Sequence, residues 1–138
     1  MSQFVLPVRV YYEDTDSGGV VYYANYLKFM ERARTEYLRD HGFEQDEVLA
    51  DHGVLFAVRS VQVDYRRPAR FNDLLDVSAA IETCRGARID FVQQVRRRGE
   101  VLCEGTVRVV SIDGERFRPR PVPRTILRAL RTSVEGVE

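Results

Sequence analysis

The chain has 138 residues, 44% of them hydrophobic and 30% charged, which is enough for one domain with a real core. Its 21 Lys and Arg balance 21 Asp and Glu, which argues against a nucleic-acid protein, whose binding domain is usually clearly basic. Cys84 and Cys103 make neither a disulfide framework nor a Cys-x-x-Cys metal or redox pair. The stretch from Met1 to Pro7 has no signal-peptide pattern, and no apolar run approaches the roughly 20 residues of a membrane span. The expectation is a cytoplasmic protein with reduced thiols, forming a single domain over residues 1–138. Lys28 is the only lysine. The arginine excess suits bidentate phosphate contacts, and a codon bias of the source genome explains it as well.

In chain order, Phe4 to Tyr12 reads as a strand, with Val8, Val10 and Tyr12 on one side. The run Asp14-Thr15-Asp16-Ser17-Gly18-Gly19 breaks it and leads into the longest helical pattern. There Tyr22, Tyr26, Phe29, Met30, Ala33 and Tyr37 recur at spacings of three and four, opposite Lys28, Arg32, Thr35 and Arg39. The spacing predicts an amphipathic helix of about four turns whose apolar stripe is a core face, closed by Gly42. A short second helix is expected over Glu44 to Asp51, stopped by Gly53. From Val54 the period changes to two, and strands are expected over Val54–Arg66, Leu74–Thr83, Arg88–Arg98 and Val101–Asp113. Val92 and Val95 break the alternation set by Ile89 and Phe91, which hints at a bulge. After three prolines, Arg124 to Arg131 reads as a short terminal helix. Four hairpin-type connections imply an antiparallel sheet, one face of which the long helix must cover. The fold class is α+β, and its exposed edge strands make pairing with a second copy attractive.

The corner between first strand and helix carries the candidate chemistry. Asp16 offers a carboxylate, Gly18 and Gly19 let a ligand approach the main chain, and the helix start offers unpaired N–H groups. A carbonyl held there would be polarised from one side and open to a carboxylate from the other. The same residues would also serve as a plain solvated turn with an acidic helix cap.

The run Val8-Arg9-Val10-Tyr11-Tyr12-Glu13-Asp14-Thr15-Asp16-Ser17-Gly18-Gly19-Val20-Val21-Tyr22, followed by Ala24-Asn25-Tyr26 and Glu31-Arg32-Ala33-Arg34-Thr35-Glu36, resembles the 4-hydroxybenzoyl-CoA thioesterase family. Within it the chain is most similar to the branch of acyl-CoA thioesterases associated with the bacterial Tol-Pal system. Tyr65-Arg66-Arg67-Pro68-Ala69-Arg70 and Asp73-Leu74-Leu75 match as well, and the pattern weakens beyond Asp113. The resemblance implies a hotdog fold, a five-stranded antiparallel sheet wrapped around one long helix. It also implies a homodimer, often doubled to a homotetramer, with active sites between subunits, and no cofactor, coenzyme A being part of the substrate. Any link to acyl carrier protein or to Tol-Pal partners would be by analogy alone. The resemblance makes Asp16 the catalytic carboxylate and the Tyr23 backbone N–H the group that polarises the thioester carbonyl, with Tyr12 lining the site. The branch usually has His at the position of Tyr23, so the backbone donor is kept while a proton carrier is lost.

Thioester hydrolysis suits these groups. The leaving thiol has a pKa of about 8.5 and needs little acid help. Asp16 can deprotonate water or attack to form an acyl-enzyme anhydride; the sequence leaves both routes open. Losing an oxyanion donor such as the Tyr23 N–H costs roughly 3–4 kcal/mol in other enzymes. Gly19 and Val20 are expected to line the substrate. Arg66, Arg67 and Arg70 around Pro68, and Arg85 and Arg88 around Gly86, are candidates for the phosphates of coenzyme A. Arg96-Arg97-Arg98 reads as a surface turn. Asp14 is either a supporting or a loop residue, Asn25 reads as a helix cap, and Glu31 and Glu36 read as solvated or ion-paired. A dehydratase would need a site histidine, yet His41 and His52 lie outside the corner. No Gly-x-Ser-x-Gly motif or metal-ligand cluster is present. The alternative of another class is an acyl-CoA or acyl-carrier-protein binding module with little turnover, against which the retained Asp16 argues.

Overall fold

In the computed structural model the described residues are 3–135, with side chains described to residue 131. The order is β1 (Phe4–Arg9), α1 (Tyr23–Asp40), α2 (Gln45–His52), β2 (Val54–Tyr65), β3 (Leu74–Arg85), β4 (Arg88–Arg97), β5 (Glu100–Asp113) and α3 (Arg124–Glu135). The strands form one antiparallel sheet in the order β1-β3-β4-β5-β2. Two of the expected hairpins exist, β3–β4 and β4–β5. β2 instead lies at the far edge beside β5, from Val54 opposite Asp113 to Tyr65 opposite Cys103. The segment after it, 66–73, therefore crosses the end of the sheet instead of turning back, and this crossing segment carries part of the site.

Tyr26, Phe29, Met30, Ala33 and Tyr37 are buried, as the helical spacing requires, together with Leu38. They lie against inward residues of β1, β3 and β4 such as Leu75, Val77, Phe91 and Val95. Tyr22 leaves the stripe: it is the N-cap residue, outside the helix and exposed. At 18 residues the helix has about five turns, one more than expected. Its end is a Schellman motif: Gly42 N–H donates to Arg39 O, Phe43 N–H to Leu38 O, and Gly42 takes a φ of 91°.

Two further expectations need correction. β1 ends at Arg9, and Tyr12–Asp14 form a 3-10 turn, so Tyr12 is not a strand residue. β4 has no phase break: Ile89, Phe91, Gln93 and Val95 are all buried, and it is Val92 that points outward. The apolar residue out and the polar residue in disguised a regular alternation. The irregularities fall on the partners, where Glu82 in β3 and Leu102 in β5 are the extra residues. Gln93 can stand in the core because its amide donates to Met30 O at 3.0 Å and Ser78 O at 3.2 Å while its oxygen accepts from Arg34. One long helix fills the sheet's concave face, and the two short helices expected beside it are present as well. α2 follows it, and α3 seals β3 with Ile126 and Leu130 fully buried.

Candidate active site

The Asp16 corner is a small hairpin. Thr15 pairs with Val21, Asp16 N–H donates to Val20 O at 2.9 Å, and Gly19 N–H closes the turn onto Asp16 O at 3.0 Å. Gly19 has a φ of 80°, the left-handed residue with which a three-residue hairpin loop ends, so glycine is needed there. The Asp16 side chain is exposed, and its Oδ1 accepts the Gly18 N–H at 2.8 Å. A Cβ on Gly18 would stand 3.2 Å from that oxygen, so this glycine keeps the carboxylate unobstructed.

The return arm of the hairpin runs straight into α1. No side chain caps that helix. Asn25 does not act as the expected cap; its Nδ2 donates to Asp14 O at 2.8 Å, and Tyr22 N–H donates to the same oxygen at 3.0 Å. Asp14 turns its carboxylate back onto the Tyr11 N–H at 2.8 Å. Both residues hold the loop. The Tyr23 N–H, at the first helical position, has no acceptor within the helix. The Tyr23 ring is exposed, tilted against Tyr22 at 4.8 Å and edge-on to Tyr65 at 6.1 Å.

The crossing segment joins the corner sideways. Val20 pairs with Arg70, Val21 N–H donates to Ala69 O at 2.8 Å, and the buried Ala69 N–H donates to the Tyr26 hydroxyl at 2.9 Å. Asp73 fixes the segment's other end: it accepts from Arg70 N–H and from Arg97 Nη1, both at 2.8 Å. Burial would raise the Asp73 carboxyl, but those two partners outweigh it and hold the group below its ordinary value. Tyr26 and Arg97 thus position the site. The apolar stripe hid the use of the Tyr26 hydroxyl, and the three-arginine hairpin hid Arg97, which is only half-buried and bonded, not a free surface charge.

Of the residues expected at the site, Asp16, Gly19, Val20, Tyr23 and Arg70 come together. Tyr12 lies on the neighbouring turn, exposed and stacked on Phe71 with ring centres 3.8 Å apart. Arg66 is engaged by Asp64 and Glu104, and Arg67 by Glu100 at 3.0 Å. Arg70 is exposed, its backbone pairs with Val20, and no carboxylate is in ion-pair contact with it among the described residues. Arg88 stands at the opposite end of β4, 3.0 Å from Asp90, and within one chain it is not brought to the corner. Glu36 pairs with Arg39, and His41 binds Tyr37 O at the end of α1, far from Asp16 along the helix.

Residues 10–130 match the Thioesterase-like superfamily. The chain belongs to that family. The acyl-CoA thioester hydrolase YbgC of Escherichia coli is 46% identical over 125 residues, covering 90% of this chain and 92% of its own. The acyl-CoA thioesterase YbgC of Haemophilus influenzae is 44% identical over 123 residues, covering 89% and 90%. A probable thioesterase from Bartonella henselae, known from its crystal structure, is 34% identical, with a TM-score of 0.84 over 88% of this chain and all of its own. The five antiparallel strands around α1 are the hotdog arrangement of this superfamily. No helix among the described residues is long and apolar enough to cross a membrane.

Proposed function

We propose that this chain is an acyl-CoA thioesterase that hydrolyses the thioester to free acid and coenzyme A with Asp16 as its catalytic carboxylate. The observation that carries the reading is the juxtaposition at the corner: an exposed carboxylate on a glycine hairpin whose next residues open an uncapped helix. The names of its relatives in Escherichia coli and Haemophilus influenzae support the same activity. In this reading the thioester carbonyl oxygen points at the Tyr23 N–H, where the helix start stabilises the oxyanion. Asp16 takes a proton from water as that water attacks, or attacks itself, and the thiolate departs without an acid. Gly19 and Val20 line the thioester, Tyr12 borders the site, and Arg70, lacking a local ion pair, meets a phosphate of coenzyme A.

The chain works as one hotdog domain without a cofactor, as a homo-oligomer, and its buried free Cys84 and Cys103 suit a reducing cytoplasm. Free-thiol release from a panel of short, long and aromatic acyl-CoAs tests the activity. Turnover of at least one class supports it. Saturable acyl-CoA binding with no thiol released would replace it with the binding-module reading.

A further inference from the structure

Beyond the end of β5 the chain carries charge that neither its packing nor the Asp16 corner uses. Residues 114–131 hold six arginines and a single acid, Glu115, in a chain whose formal net charge is zero. Arg116, Arg118, Arg120, Arg124, Arg128 and Arg131 are all exposed. Arg120 faces Asp113 at 3.5 Å, and Arg131 donates to Cys84 O at 3.0 Å. Among the described residues, no carboxylate is in ion-pair contact with Arg116, Arg118 or Arg124. Arg124 opens α3, where a cation opposes the helix dipole, so helix stability does not explain it.

Phe117 stands among these cations. It is 71% exposed, yet the turn that carries it is fixed. Asp113 Oδ1 accepts the Glu115 and Arg116 N–H groups, both at 2.9 Å, and Asp113 O accepts the Phe117 N–H at 2.9 Å. Asp113 N–H donates to Arg118 O at 2.8 Å, and Arg120 N–H to Ser111 O at 2.9 Å. Phe117 has a φ of 55°, which strains a residue with a Cβ. Leu49, also exposed, lies at the base of the turn, where its Cδ1 would stand 2.7 Å from a Cβ on Gly114.

We propose that this turn docks the protein on an anionic lipid bilayer, with Phe117 entering the boundary between headgroups and acyl chains and Arg116, Arg118 and Arg120 meeting lipid phosphates. Cations alone would suit any polyanion; the ring held at the tip of a rigid turn adds an apolar group that a bilayer takes up. Arg124, Arg128 and Arg131 share the side of α3 opposite the buried Ile126 and Leu130 and widen the positive field. The rest of the chain is net negative, so the attachment is weak, reversible and sensitive to salt. It is read without any turnover and stands or falls apart from the thioester reading.

The test co-sediments the full-length protein with vesicles of phosphatidylcholine and with vesicles of equal parts phosphatidylcholine and phosphatidylglycerol. Retention on the anionic vesicles only, lost at high salt, is the expected result. Phe117→Gly should weaken it about tenfold. Because glycine suits the φ of 55°, that variant should melt no lower than the native chain. Removing both flanking cations, Arg116→Gln with Arg118→Gln, should weaken retention about twentyfold. Equal binding to neutral and anionic vesicles, no binding, or binding indifferent to either variant would overturn the surface. Undiminished retention of Phe117→Gly on heparin and vesicles alike would make the patch a general polyanion site instead. Release from the vesicles by free coenzyme A would assign the arginines to the phosphates of that molecule and overturn the proposal as well.

Discussion

At the scale of single residues, the corner depends on groups whose geometry leaves them little freedom to vary. Gly19 is the clearest: its φ of 80° suits glycine and strains any residue with a Cβ, although nothing would touch that Cβ. Gly19→Ala is expected to cost about 1–2 kcal/mol in chemical denaturation and to lower turnover, because the turn carries Asp16. Unchanged stability and turnover would show that the hairpin tolerates another conformation. The two cysteines behave in the opposite way, as buried groups without chemistry. Burial pushes the Cys84 thiol up to about 11 and the Cys103 thiol up to about 12. In the unfolded chain a thiol ionises near about 8.5, so the unfolded state loses these protons first as the pH rises. Their contribution to stability is fully present below that value and is lost progressively toward pH 11 to 12. Both thiols should resist alkylation by iodoacetamide at pH 8.5 until denaturant is added; rapid native-state labelling would contradict their burial.

At the scale of elements, the sequence showed those pieces whose signals are local. The α1 stripe, the Gly42 and Gly53 stops and the β3 alternation of Leu75, Val77, Ala79 and Ile81 were all legible, because periodicity and positive-φ glycines act within a few residues. What was not legible were decisions made across the sheet. Placing β2 beside β5 depends on a pairing of eleven residue pairs between segments about fifty residues apart, which no turn signal announces. Nothing local marks Gln93 as a core residue, because only the folded neighbours Met30 and Ser78 supply its acceptors. The site divides in the same way: Asp16 and the glycines stand in one motif, whereas Tyr26, Asp73 and Arg97 meet through the crossing segment. Gly105 tests the sheet's edge pairing directly. A Cβ there would lie 2.4 Å from Gln62 O and 3.1 Å from Val63 Cα, backbone atoms that cannot simply rotate away. Gly105→Ala should destabilise by about 1–3 kcal/mol through overpacking, read as a shift of the denaturation midpoint. A neutral result would mean that β2 moves freely against β5.

At the scale of the whole molecule, the sheet's two edges differ. β1 is six residues long with Pro7 in it, a short edge unsuited to further pairing. β2 is twelve residues long, with an exposed stretch from Val58 to Gln62. A second copy pairing along β2 would cover that edge, and it is there that the expected dimer should form. Sedimentation should report a dimer for the native chain and a monomer of lower activity for Val61→Glu; a native chain that sediments as a monomer would remove the dimer.

The central claim is that the Asp16 carboxylate performs the hydrolysis. Asp16→Asn keeps an oxygen to accept the Gly18 N–H at a solvent-exposed position, so fold and oligomeric state should be unchanged while the base or nucleophile is gone. The measurement is kcat for thiol release from the best acyl-CoA, compared between native protein and variant. A fall of about 10²–10⁴-fold with the melting temperature preserved is the predicted result. Equal turnover by both proteins would contradict the account and move the chemistry to a carboxylate on α1.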